Sequence, residues 1–280
     1  MKKYLELMRV KHWIKNLLVF LPVVCGKIFN INSLFEVLIS FLAFSFMTSF
    51  IYIVNDIRDI DKDRKHPRKK KRPLPSGKIK ISTAIFIAVL MLVVSILLNT
   101  LLTNSIFNLS LVFLLIYMLT NILYSFGLKD VVIIDVFILS LGFLLRVYYG
   151  ASIVDIEVSN WLFLTILTAS LFLGLGKRKK EYFNNKDSRK VLNFYDGNFL
   201  DKFQYIFLAL TFVFYSLWAM EQSIEYMFLT IPILMIIFMK YCLIIEKGDE
   251  GDPITILYHD KFLFLLCGLY GLIMLILLVI

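Results

Sequence analysis

The chain has 280 residues, of which 59% are apolar, 15% aromatic and only 18% charged, with a net charge of +9. A mean hydropathy of +0.79 exceeds what a soluble core of this length can bury, so a soluble globular protein is excluded and a polytopic membrane protein is expected. Its basic residues gather in a few loops, which speaks for membrane topology and phosphate chemistry and against a nucleic-acid partner.

Apolar runs of about twenty residues recur from end to end with few Gly and Pro, so the spans are expected to be helices. The opening segment to Lys15 is basic and amphipathic, with Lys2, Lys3, Arg9, Lys11 and Lys15 among Tyr4, Leu5, Leu7, Met8 and Trp13. It reads as an interfacial anchor at membrane lipid that keeps the N-terminus inside. No removable signal peptide is read here, because Val24 stands where a lipoprotein cleavage site needs a small residue. A first span is expected over about Trp13–Phe29 and a second over about Leu34–Val54. The second ends in Asn55-Asp56-Ile57-Arg58-Asp59-Ile60-Asp61-Lys62-Asp63. If its helix continues, Asp56, Asp59 and Asp63 fall on one face beside Asn55, with Asp61 opposite. Three carboxylates on one face need a cation between them, and oxygen-only ligands with substrate phosphates suit Mg²⁺; the alternative is a solvated acidic turn answering the Lys/Arg run that follows.

A basic turn follows, from Arg64 to Lys80, broken by Pro67, Pro73, Pro75 and Gly77. Most of its run from Arg68 to Arg72 reads as an anchor to anionic lipid. Further spans are expected over about Thr83–Leu101, Ile106–Tyr124, Val131–Ala151, Asn160–Gly176, Phe203–Met220, Tyr226–Ile245 and Phe262–Ile280. The fold class is therefore an all-α membrane bundle of nine helices, one domain over 1–280. With the N-terminus inside, alternate loops carry Lys27 and nothing else basic, as the positive-inside rule requires.

Polar loops then converge on the cytoplasmic face. They offer the acidic motif; Tyr124, Lys129, Asp130 and Asp135; Lys177, Arg178, Lys179, Lys180, Glu181, Arg189 and Tyr195; and Asp249, Glu250, Asp252 and Asp260. Carboxylates for Mg²⁺ and cations for phosphate oxygens suit a diphosphate-bearing co-substrate and a lipid partner. The cluster at Asp249–Asp252 is either a second metal site or a solvated loop. Arg146 lies inside a span and needs an anionic partner, from another helix or from substrate. Asp135, three turns earlier and about 16 Å along the axis, is too far to serve. Trp13, Trp161 and Trp218 read as interface-belt residues, and Asn121 and Gln204 as groups satisfying backbone. Cys25, Cys242 and Cys267 read as packing residues, and His12, His66 and His259 lack metal-ligand spacing.

The acidic motif, the nine spans and the inward loops together resemble the UbiA superfamily of intramembrane prenyltransferases. The resemblance is closer to its decaprenyl-phosphate phosphoribosyltransferase-like branch. Arg9-Val10-Lys11-His12-Trp13-Ile14-Lys15-Asn16 departs from that branch's R-P-x-x-W-x-K-N only at Val10. Also similar are His66-Pro67, Arg72-Pro73-Leu74-Pro75-Ser76-Gly77, Tyr124-Ser125 with Leu128-Lys129, Asp135, and Gly142-Phe143-Leu144-Leu145-Arg146 with Gly150. Gly176-Lys177-Arg178 with Glu181, then Arg189, Leu192 and Tyr195, and finally Gly251-Asp252-Pro253 with Asp260 complete the match.

The resemblance implies that a polyprenyl phosphate oxygen attacks the anomeric carbon of phosphoribosyl diphosphate and expels diphosphate. It implies Mg²⁺ on Asp56, Asp59 and Asp63, with Asp56, Asp59 and Lys129 as catalytic residues. Substrate-binding residues would be Lys15, Asn16, Asn55, Tyr124, Asp135, Arg146, Lys177 and Arg178, in a bacterial or archaeal plasma membrane. Prenyl transfer from a prenyl diphosphate to an aromatic or other small acceptor is the alternative on the same motif. A lipid or anion transporter would call for helices broken at midplane, whereas most Gly and Pro fall in loops or near span ends, Pro232 and Gly142 excepted.

Overall fold

The computed structural model describes residues 2–65, 69–103, 105, 108–184, 186, 189–248 and 251–279. His66, Pro67, Arg68, Asp249 and Glu250, all named above, lie outside the described residues. The chain is all-helical and holds, among the described residues, eight helices long and apolar enough to cross a membrane. These are α3 (Ile31–Arg58), α5 (Ile81–Thr103), α6 (Leu109–Phe126), α7 (Ile134–Ile153), α8 (Asn160–Asn184), α9 (Gly197–Glu221), α10 (Thr230–Lys247) and α12 (Lys261–Val279). Shorter helices are α1 (Lys2–Leu7), α2 (Leu21–Cys25), α4 (Ile60–Lys65) and α11 (Pro253–His259). On α5 and α12, Phe86, Val89, Leu97, Leu265, Leu269 and Leu272 are exposed. Apolar rows of this kind have no place in water, so the protein is an integral membrane protein.

The expected first span has a different form. Val10–Phe20 is a 3₁₀ helix that passes directly into α2. Pro22 has no N–H to give to the carbonyl four residues back, and the Leu21 N–H closes on Leu18 O, three residues back. No single helix of membrane length forms here.

The chain divides into two compact units, Met1–Phe126 with Leu145–Ile156, and Gly127–Leu144 with Glu157–Ile280. In the first, α3 packs against α5 and the 3₁₀ segment. Ser40, Ala43, Ser45, Ser49, Ala84 and Ala88 are buried there, and small residues let helices approach closely in lipid. Ser95 Oγ donates to Ala43 O at 2.7 Å. Trp13 donates from Nε1 to Ser49 Oγ at 3.1 Å and packs edge-on against Phe46, so its polar end is bound inside protein. In the second unit, α8 lies along α9, and α10 along α12. Phe172, Ile237, Tyr241, Ile245, Ile256 and Leu263 form a core. Trp218 is 3% exposed against Tyr215, which removes it from the expected belt.

A close backbone approach occurs at Gly150. A Cβ there would stand 2.1 Å from Val19 O, so nothing larger than glycine fits without moving the 3₁₀ segment. Gly150→Ala should destabilise the protein by about 1–3 kcal/mol through overpacking. Gly268→Ala, which meets nothing within 4 Å, should leave stability unchanged or slightly raised. Thermal unfolding of the two variants in detergent checks the contrast.

Candidate active site

The helix that carries the acidic motif does not run through it. α3 ends at Arg58, and Asp59 takes φ −92°, ψ 11° while donating its N–H to Asn55 O at 3.0 Å. The chain restarts as α4. The single acidic face expected from unbroken periodicity is therefore replaced by a bend. Asp56 and Asp63 are buried, Asp59 is half-buried, and Asp61 is exposed beside Arg64 at 3.2 Å.

Burying two carboxylates is tolerable only with cations to match. Arg72 Nη1 stands 3.3 Å from Asp56 Oδ1 and 2.7 Å from Asp63 Oδ2. Lys69 Nζ lies 3.7 Å from Asp63 Oδ1, and Arg9 donates from Nη2 to Asp56 Oδ1. Arg9 adopts φ 51°, ψ 44°, and its guanidinium sits 4.6 Å from the Tyr52 ring centroid. Lys70 and Lys71 are exposed. Arg72 is not: Pro73, Leu74 and Pro75 are buried, and Leu74 packs with Leu7 and Ile53, turning Arg72 inward.

Among the described residues no three His, Cys, Asp or Glu side chains form a metal-holding group. The three-aspartate set is thus not assembled. Two of its members are: Asp56 and Asp63 converge on one guanidinium nitrogen, which stands in for a cation between hard oxygen donors. That donor set fits Mg²⁺ chemically.

Around this pair, Asn55 Oδ1 accepts from Ser125 Oγ. Asn16 donates from Nδ2 to Ser45 Oγ at 3.0 Å and Thr48 Oγ1 at 3.2 Å. Its own Oδ1 accepts from Arg146 Nε at 2.9 Å. Arg146 also donates from Nη2 to Tyr117 Oη at 2.8 Å, with its guanidinium 4.8 Å and 5.3 Å from the Tyr117 and Phe44 ring centroids. Asn16 and Arg146, read separately from sequence, are one network. Lys15 and Tyr124 are half-buried, the first in the 3₁₀ segment and the second in the last turn of α6.

The second unit carries its own charge cluster. Arg178 is fully buried, donating from Nε to Asp135 Oδ2 and from Nη1 to Glu181 Oε2, both at 2.5 Å. Arg189 Nε stands 3.1 Å from Glu181 Oε2. Tyr195 donates to Asp135 Oδ1 at 2.7 Å and accepts the Ile133 N–H at 2.8 Å. Burial, then the bond to Asp135, raise the Tyr195 phenol above its ordinary pKa, so it stays a donor. Ile133 is held at φ 70°, a position a β-branched residue takes only under constraint. Both Arg178 and Asp135, expected at substrate, are engaged with each other.

Lys177 Nζ reaches Asp252 Oδ1 at 3.3 Å, and Asp252 caps α11 through Thr255 N at 3.4 Å. Asp260, accepting the Leu263 N–H at 2.8 Å and facing Lys240, lies below the ordinary carboxyl pKa. Lys129 is half-buried in the 3₁₀ turn Leu128–Asp130. Sequence reasoning did not give Arg9, Arg72 or Tyr117 a role in a site. Charge balance was the available signal for Arg72, since buried aspartates need cations and Arg72 lies in the basic run just downstream.

Comparison with known proteins follows the same line. Residues 19–278 match the model of the UbiA prenyltransferase family. The chain is 32% identical over 274 residues to the decaprenyl-phosphate phosphoribosyltransferase of Corynebacterium glutamicum, spanning 92% of this chain and 81% of that one. It is 30% identical over 280 residues to the protein of the same name from Mycolicibacterium smegmatis, spanning 92% and 87%. Its fold is similar to that of a UbiA homologue from Archaeoglobus fulgidus solved with DMAPP and Mg²⁺. The TM-score is 0.74, at 20% identity, over 99% of each chain.

A buried ion pair is revealed by removing one partner. Asp135→Ala should cost about 3 kcal/mol, the low end for a broken buried pair because Glu181 still faces Arg178, while Asp135→Leu with Arg178→Met should recover most of that loss. Tyr195→Phe should cost about 1 kcal/mol. Thermal unfolding of the variants measures each.

Proposed function

Because the chain belongs to the UbiA prenyltransferase family and is thus a membrane-embedded transferase, we propose that it moves 5-phosphoribose from phosphoribosyl diphosphate to a polyprenyl phosphate, such as decaprenyl phosphate. The observation that carries this reading is the similarity to decaprenyl-phosphate phosphoribosyltransferases along 92% of the chain. A phosphate oxygen of the lipid forms a bond to the anomeric carbon. The bond from that carbon to diphosphate breaks, and diphosphate leaves with the electron pair. The acceptor is already anionic, so no general base is needed.

Asp56, Asp59 and Asp63 would hold Mg²⁺, which would supply positive charge against the developing charge on the leaving diphosphate, with Asn55 assigned to substrate. Lys129 is assigned as a catalytic cation for phosphate oxygens. Lys15, Tyr124 and Lys177 are assigned to phosphate and sugar oxygens. Asn16 and Arg146 offer a buried donor network to an anionic group. Asp135 and Arg178 act as positioning residues, since neither has surface to offer a ligand. The membrane arrangement in this reading is nine crossings with the N-terminus and the polar loops on the cytoplasmic side of a bacterial or archaeal plasma membrane.

Purified protein should release diphosphate only when phosphoribosyl diphosphate, a polyprenyl phosphate and Mg²⁺ are all present, and EDTA should stop it. Asp56→Asn and Asp59→Asn should each lower the rate by at least about 100-fold with the elution profile unchanged. Silence with this mixture, but turnover with a prenyl diphosphate and an aromatic acceptor, would transfer the same site to prenyl transfer.

A further inference from the structure

Arg72 belongs to the basic turn, yet its guanidinium is not given to the membrane surface. One nitrogen, Nη1, is within hydrogen-bonding reach of two carboxylates that are themselves 4% and 3% exposed. The base of the residue is fixed. Ser76 donates to Arg72 O through both Oγ, at 2.6 Å, and its backbone N–H, at 3.1 Å, and Leu74 is seated in the core. The tip is freer, with a third of the side chain exposed. Arg9 differs, being clamped against Tyr52 and set in a left-handed backbone conformation.

We propose that Arg72 is an internal counter-cation that must leave Asp56 and Asp63 before a divalent cation can bind between them. Its departure frees a guanidinium for the anionic substrate. This rests on the metal-dependent reading above and not on which diphosphate is the substrate. Arg9 serves Asp56 and Lys69 serves Asp63 from outside, whereas Arg72 is the cation shared by both carboxylates. A divalent cation among the same oxygens takes the place of that shared guanidinium and releases the arginine, so cation entry and anion recruitment become one exchange. The arginine lowers affinity for the cation in the empty enzyme and restores it when an anion accepts the guanidinium.

The test uses full-length protein in detergent and Mn²⁺ alone, read by loss of the free-ion electron paramagnetic resonance signal, without turnover. Arg72→Gln should bind Mn²⁺ at least about fivefold more tightly than wild type. Its melting temperature should be lower without the ion and rise further with it. Asp56→Asn should lose the site in either background. Equal or weaker binding by Arg72→Gln, with binding that still depends on Asp56, overturns the counter-cation and leaves the metal site standing. Binding indifferent to Asp56→Asn, or absent from every variant, overturns the metal reading and the proposal together. If Arg72→Gln does not fold, Arg72→Lys carries the test, since an ammonium lacks the planar fork of donors. Its Mn²⁺ affinity should lie above wild type, and a value at or below it overturns the proposal.

Discussion

A carboxylate buried at the end of a membrane helix has to be neutralised where it stands, because neither lipid nor a packed helix bundle supplies water to do it. Asp56 and Asp63 impose that demand on the first unit, and much of its irregular structure answers it. The Pro73–Pro75 turn is folded into the core and delivers Arg72. The chain before the 3₁₀ segment kinks into a left-handed conformation at Arg9, whose side chain reaches Asp56. The break at Asp59 lets Asp63 come round to the same guanidinium as Asp56. Loops that would otherwise differ freely are tied to two oxygen pairs.

The second unit meets the same demand by another route. Asp135 takes Arg178 and Tyr195 into a buried cluster, the second being the tyrosine that steadies the strained Ile133. Lys179 binds Asp201 and Glu246, each at 2.5 Å, joining α8, α9 and α10 at their polar ends. Arg146 contrasts with both. Its described bonds go to an amide and a phenol and its flat faces to aromatic rings. Guanidinium is weakly hydrated enough to be held by rings and neutral oxygens as well as by carboxylates.

Hydropathy made the eight long helices legible, with most ends within a few residues. Where the limits moved, charge pairing explains it. α8 continues past the expected end at Gly176 to Asn184 because its cations are matched, Arg178 by Glu181 one turn on and Lys179 by α9 and α10. The acidic motif was read as one face on the condition that its helix continued, and the bend at Asp59 ends that helix. Partner choice was hidden by separation along the chain. Arg146 and Asn16 are 130 residues apart, Arg178 and Asp135 are 43, and Arg9 and Asp56 are 47. Local composition carries no signal at such separations. Arg72, read with its neighbours as lipid-directed, faced inward because of the buried prolines beside it.

The opening segment shows what winding does to reach. A 3₁₀ helix rises about 2.0 Å per residue against about 1.5 Å for an α-helix. Eleven residues of the first kind rise about 22 Å, a length for which an α-helix needs about fifteen residues. Counting apolar residues therefore undercounts what a tightly wound segment can traverse.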